Sequence, residues 1–140
     1  MNEVVTGRIW KLQEAMLSLP QADLPTFHYF ADGMYARVVK RPKGTLIVGK
    51  VHKKEHFYIV TKGKVEVASE TGTEIYESGD VIVSKPGTKR AVLALEDSIC
   101  MTVHRTKKKN LEKIERELVF EDKTALFDAR NKLKELPCPG

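Results

Sequence analysis

The sequence predicts an all-β domain, a sandwich or barrel, with helical segments at its two ends. Three observations carry that expectation. β-Branched and aromatic residues gather into short runs between about residues 26 and 104. Turn-forming groups such as Asp32-Gly33, Lys62-Gly63, Ser78-Gly79 and Pro86-Gly87 separate those runs at close, regular spacing. The flanks lose this pattern and turn to helical periodicity. Many short strands in one small chain leave two solutions, stacked sheets or a closed barrel.

Residues 6–19, TGRIWKLQEAMLSL, place Ile9, Leu12, Met16 and Leu19 on one helical stripe. Thr6 can cap that helix and Pro20 ends it. After the loop PQADLP the strands are expected at 26–30, 33–40, 45–52, 56–61, 64–69, 73–77, 80–84, 90–95 and 98–104. Beyond Thr106 the composition becomes lysine-rich. Asn110 is a candidate N-cap, and Leu111, Ile114 and Leu118 share a helical face. The tail past residue 121 is polar and offers Leu126 and Phe127 for contact with another subunit. The chain thus divides into a helix and linker (1–24), a β-domain (25–106), and a helix plus tail (107–140).

At 140 residues, 41% apolar and 31% charged, one domain with a real core is the simplest organisation. No apolar run approaches the roughly 20 residues needed to span a bilayer, and MNEVVTGRIW has no signal-peptide core, so a cytoplasmic, membrane-free protein is expected. Cys100 and Cys138 are expected as unpaired thiols in a reducing compartment. The net charge of +5 lies in loop-like runs such as HKKEH and HRTKKKN. No arginine-rich arm, finger spacing or ribonucleoprotein aromatic motif accompanies them, which argues against nucleic acid as a partner. A homo-oligomer, a dimer first, is expected, because an amphipathic helix and exposed sheet edges both need cover.

The stretch KVHKKEHFYIV holds the chemistry. Its H-x-x-E-H spacing matches a zinc-peptidase motif, but that motif needs a helix to place both imidazoles on one face. The flanks GTLIVGKV and FYIVTKGKVEV favour strand, so the peptidase reading fails.

The same region resembles the cupin superfamily, whose two motifs run G-x5-H-x-H-x3-E-x6-G and G-x5-P-x-G-x2-H. Gly44, His52, Gly63, Gly79 and Gly87 stand in register over residues 25–106. The resemblance implies a jelly-roll β-barrel with an N-terminal helix and a C-terminal helix plus tail. FHYFADGMYAR, GKVHKKEHFYIV and VSKPGTKR are similar to small uncharacterised cupin-like proteins of bacterial and phage genomes. The four positions that hold metal ligands in the family carry Lys50, His52, His56 and Arg90. Two of these are cations, which offer no lone pair while protonated. A third imidazole, from His104 or His28, would be needed to complete a divalent-metal site.

In the implied register Lys50, His52, His56, Tyr58 and Arg90 converge on the interior. Arg90 and Lys50 suit a carboxylate, phosphate or enolate, and the imidazoles can serve as acid or base. The residues together with the resemblance imply three functions. The first is a cupin binding a small anion, in the manner of a lyase or isomerase. The second is a non-enzymatic structural or interaction protein, including a virion-associated one. The third is a metal-dependent cupin using His52, His56 and His104. The bland alternative has Lys50 reaching outward, Arg90 paired with Glu55 or Asp80, and the histidines bonded to each other or to backbone.

Overall fold

A computed structural model describes residues 9, 11–13, 24–120 and 129. Among the described residues nine strands run in chain order: β1 (Thr26–Ala31), β2 (Met34–Arg41), β3 (Leu46–Val48), β4 (His56–Lys62), β5 (Lys64–Ser69), β6 (Gly72–Glu77), β7 (Val81–Ser84), β8 (Ala91–Ala94) and β9 (Ser98–Arg105). They form two antiparallel sheets. One has the order β1-β2-β9-β4-β7 and the other β3-β8-β5-β6. This is the double-sheet jelly roll that the strand spacing and the glycine register led one to expect. No helix among the described residues is long and apolar enough to cross a membrane.

Alternation dictates which side chains enter the barrel. On β4, His56, Tyr58 and Val60 are buried while Phe57 is exposed; on β5, Val65 and Val67 are buried. Tyr58, Val60, Val65, Val67, Val92 and Cys100 make the central core. A second cluster joins Ile9, Leu24, Val39, Ile47, Val48 and Ala91, so the described part of the N-terminal helix packs on the barrel. Thr6, Met16, Leu19 and Pro20 lie outside the described residues, as do Leu126, Phe127 and Cys138. Cys100 is a buried free thiol.

The glycines close the turns. Gly63 has φ +83°, and a Cβ there would meet the Ser98 Oγ at 2.4 Å and the Asp97 carbonyl at 2.5 Å. Only glycine satisfies both the left-handed backbone and the close approach.

Most strand limits fall within a residue or two of expectation, but the strand expected at 45–52 ends at Val48. Gly49 still donates to the Arg90 carbonyl (2.9 Å), after which the chain leaves the sheet. His52 is held instead by an isolated antiparallel bridge to Val119. Its inward direction therefore comes from the segment that follows the C-terminal helix and not from strand alternation. That helix, Leu111–Leu118, starts where expected: the Asn110 side chain accepts from the Lys113 amide at 3.0 Å. It buries Ile114 and Leu118 against Tyr35. Lys53 N–H donates to the Leu118 carbonyl (2.7 Å) and Phe120 N–H to the Val51 carbonyl (2.9 Å), which pins the helix across one end of the barrel.

Candidate functional site

The strand register orders the inward side chains into layers. Tyr35 pairs with His104, and His56 with Ser84, on neighbouring strands. One layer deeper, Arg37 and Tyr58 both stand opposite Thr102. Val39 and Val60 flank Cys100 below them, and Arg41 stands opposite Ser98 at the far end of β2. An imidazole layer thus lies over a guanidinium–phenol layer, with a further guanidinium entering from beneath.

These groups enclose a cavity of about 150 Å³ under the C-terminal helix. All five expected ligand-binding residues, Lys50, His52, His56, Tyr58 and Arg90, line it. So does His104, whose ring centroid lies 5.2 Å from His52 and 4.5 Å from His56, with His52 and His56 4.3 Å apart. One ring nitrogen from each of the three falls within 4.8 Å of the others. His28 does not join them; its Nδ1 lies 2.6 Å from the Tyr35 hydroxyl.

Burial holds the three imidazoles neutral. Desolvation is the largest cause at each, reinforced at His52 by His56, His104 and the Arg37 and Arg90 charges. His52 falls to about 2 and His104 to about 3, and His56 is lowered too. His56 Nδ1 lies 3.3 Å from the Lys54 carbonyl, which can only accept, so Nδ1 carries the proton and Nε2 keeps its lone pair. His104 Nε2 is 3.0 Å from the Thr102 hydroxyl. Neutral imidazoles, one oriented by a backbone carbonyl, suit a divalent metal. The donor set is chemically consistent with zinc or iron.

The cations divide by partner. Lys50 is ion-paired with Glu115 of the helix, so its charge is already answered. Arg90 donates from Nη1 to the Ser84 Oγ at 2.6 Å. Neither Glu55 nor Asp80 reaches Arg90, as the bland alternative required: Glu55 pairs with Lys85 (2.6 Å) and Asp80 accepts from the Glu77 amide (2.8 Å). Arg37 and Arg41 also line the cavity. Nε and Nη1 of Arg41 are buried with no hydrogen-bond partner among the described residues, and the Tyr58 hydroxyl is buried beside the Cys100 thiol. Burial raises the Tyr58 phenol, partly offset by the Arg41 charge and reinforced by its contact with the Cys100 thiol, so it stays protonated as a donor.

Arg37, Arg41, Thr102 and Glu115 were not legible as site residues from motif alignment. One signal was available: in MYARVVKR, Tyr35, Arg37, Val39 and Arg41 share one strand parity, and Tyr35 and Val39 are buried. Two arginines on the apolar parity of a strand point at a charged interior.

No protein-family model matches the chain, and no curated protein does. Solved structures do resemble it. KdgF from Halomonas sp. superposes with a TM-score of 0.55 at 20% identity, over 63% of this chain and 84% of that one. The Cnp3 cupin domain of Schizosaccharomyces pombe gives 0.53 at 21% identity, over 72% and 77%. An RmlC-like cupin from Shewanella frigidimarina gives 0.54 at 15% identity, over 64% and 81%. The double-sheet topology, the glycine register and these superpositions agree that the fold of this chain is that of the cupin superfamily.

Proposed function

We propose that this cupin-fold chain binds a small anionic molecule in its barrel, beside a divalent metal held by His52, His56 and His104. One observation carries the reading. Arg41 Nε and Nη1 are buried donors with no partner among the described residues, and they share a cavity with three neutral imidazoles. A buried donor left unmade costs about 1–3 kcal/mol, so such a set is stable in function only with a ligand or ordered water to accept from it.

The charges specify an anion. Arg37, Arg41 and Arg90 line the cavity, and the one lining carboxylate among the described residues, Glu115, is committed to Lys50. Arg41 and Tyr58 can together hold an acid group at the deep end, and Arg90, fixed by Ser84, can hold the other face. A bound metal would supply Lewis acidity near the imidazole layer. Tyr58, kept protonated, is the proton donor nearest that acid group, and the helix over the cavity limits water. A volume of about 150 Å³ restricts the ligand to a compact molecule.

Thermal melting of protein purified without a metal-affinity tag, with and without zinc, manganese or iron(II), tests the reading against a panel of small carboxylates and phosphates. An anion at 100 times its Kd should add about 2.7 kcal/mol to stability. Elemental analysis should find near one metal per chain, falling below a tenth for His104→Ala. If no anion shifts the melting point with or without metal, the interior is not an anion site. A full metal complement in His104→Ala discards the triad.

A further inference from the structure

Residues 50–54 leave the sheets as a strap, and each of the five holds the C-terminal helix or the two residues after it. Lys50 ion-pairs with Glu115. The Val51 carbonyl accepts from the Phe120 N–H (2.9 Å), and His52 bridges Val119. Lys53 donates from its N–H to the Leu118 carbonyl (2.7 Å) and from Nζ to the Arg116 carbonyl (3.1 Å). Lys54 ion-pairs with Glu117 at 3.2 Å. Toward the barrel the strap has one backbone hydrogen bond among the described residues, from the Gly87 N–H to the His52 carbonyl (2.9 Å). Strap and helix together roof the cavity: Lys50 and His52 line it from the strap, and Leu111, Ile114 and Leu118 from the helix.

His52 therefore differs from the other two imidazoles. His56 and His104 stand on β4 and β9, whereas His52 rides on the roof. The strap also supplies the Lys54 carbonyl that orients His56 (3.3 Å).

Given the divalent metal proposed for the three imidazoles, we propose that strap and helix move as one lid and that this metal locks the lid shut. A closed lid offers three ring nitrogens. An open one leaves only the two on strands, and metal sites of this kind want at least three protein ligands. A metal that prefers the closed state raises its population, and undocking costs metal affinity by the same factor. The lid is also the part that opens at least cost. Its ion pairs, Lys50–Glu115, Lys54–Glu117 and Lys108–Glu117, are partly exposed and contribute only about 0–1 kcal/mol each. Ile114 and Leu118 are its buried anchors on Tyr35, against full strand ladders elsewhere. An anion beneath the roof then exchanges readily in the metal-free protein and is trapped in the loaded one.

Amide exchange of the full, isotope-labelled chain, followed by NMR with and without zinc, tests the lock. At 100 times its Kd, zinc should slow the Lys53 and Phe120 amides about 100-fold, because each opening must first give up the metal. Amides of the β5–β6 hairpin, which lends the cavity no residue, should keep their rates. Leu118→Asp, which charges the buried face of the helix, should weaken zinc binding about 10–100-fold. It should also bring the visible spectrum of bound cobalt(II) to that of His52→Ala, with the strand signal in far-UV circular dichroism retained. Zinc uptake without slowing at Lys53 and Phe120 overturns the lock and leaves the metal site standing. Equal slowing in the hairpin also overturns it, as does a folded Leu118→Asp that binds zinc like the parent. If Leu118→Asp does not fold, the exchange rates of the parent decide. A parent chain that takes up no zinc by elemental analysis overturns lock and metal site together.

Discussion

Replacing Arg41 with leucine should make the protein more stable and less able to bind. Arg41 enters the barrel from the end of β2, beneath the apolar layer of Val39, Cys100 and Val60. Its Nε and Nη1 are buried without partners among the described residues. Each buried donor left unmade costs about 1–3 kcal/mol, while leucine keeps much of the aliphatic stem and needs no hydrogen bond. Allowing for imperfect repacking, a net gain of about 1–3 kcal/mol is expected for ligand-free Arg41→Leu. For a domain of this size that raises Tm by about 3–10 °C. Urea unfolding at pH 7.5, followed by tryptophan fluorescence and far-UV circular dichroism, measures it. The same variant should lose the stabilisation that an anion gives the parent, about 2.7 kcal/mol at 100 times Kd. A ligand-free Arg41→Leu less stable than the parent by 1 kcal/mol or more would refute the reasoning. It would mean that the guanidinium is already satisfied within the protein.

Three further outcomes follow from the same geometry. Stability should fall on acidification below the ordinary histidine value of 6.5, because the unfolded chain takes up protons that native His52 (about 2) and His104 (about 3) refuse. The loss should approach about 1 kcal/mol per pH unit for each group until the native values are reached, and be absent above pH 7; a denaturant midpoint that is flat from pH 7 to 5 would contradict it. Gly63→Ala should cost about 3 kcal/mol or more in chemical denaturation, because its Cβ would lie under 3 Å from Ser98 and Asp97, whereas Gly87→Ala, with φ +82° and open space, should cost only about 1–2 kcal/mol. Equal costs would show that backbone conformation alone governs both turns. Asn110→Ala should remove the cap on the helix over the cavity, lowering stability by about 1 kcal/mol, and Asn110→Ser should restore most of it.

Motif alignment located His52, His56, Tyr58, Lys50 and Arg90 around one interior, because the glycines at fixed intervals set where the strands turn; alternation turns only His56 and Tyr58 inward, while Lys50, His52 and Arg90 lie just outside the strands. It assigned Lys50 the role of a free charge, and there tertiary structure differed. Glu115, sixty-five residues away, reaches back from the helix to neutralise it. The strand expected through residue 52 failed for a related reason: its last residues bond to the segment after that helix, a pairing that local propensity does not contain.

The sequence by itself determined the all-β class, the turn glycines, the capped C-terminal helix and the candidates for the histidine set, since each depends on local conformation or on a two-residue period; the jelly roll followed from the family resemblance. Only the tertiary structure decided which third imidazole joined His52 and His56. His104 and His28 stand on strands two apart in the same sheet, and sequence gives both the same chemistry. The order β1-β2-β9-β4 sets β9 directly beside β4 and its His56, whereas β1 lies at the sheet edge, where His28 meets the Tyr35 hydroxyl. Sheet order arises from long-range pairing, and that is why proximity among these histidines became visible only in three dimensions.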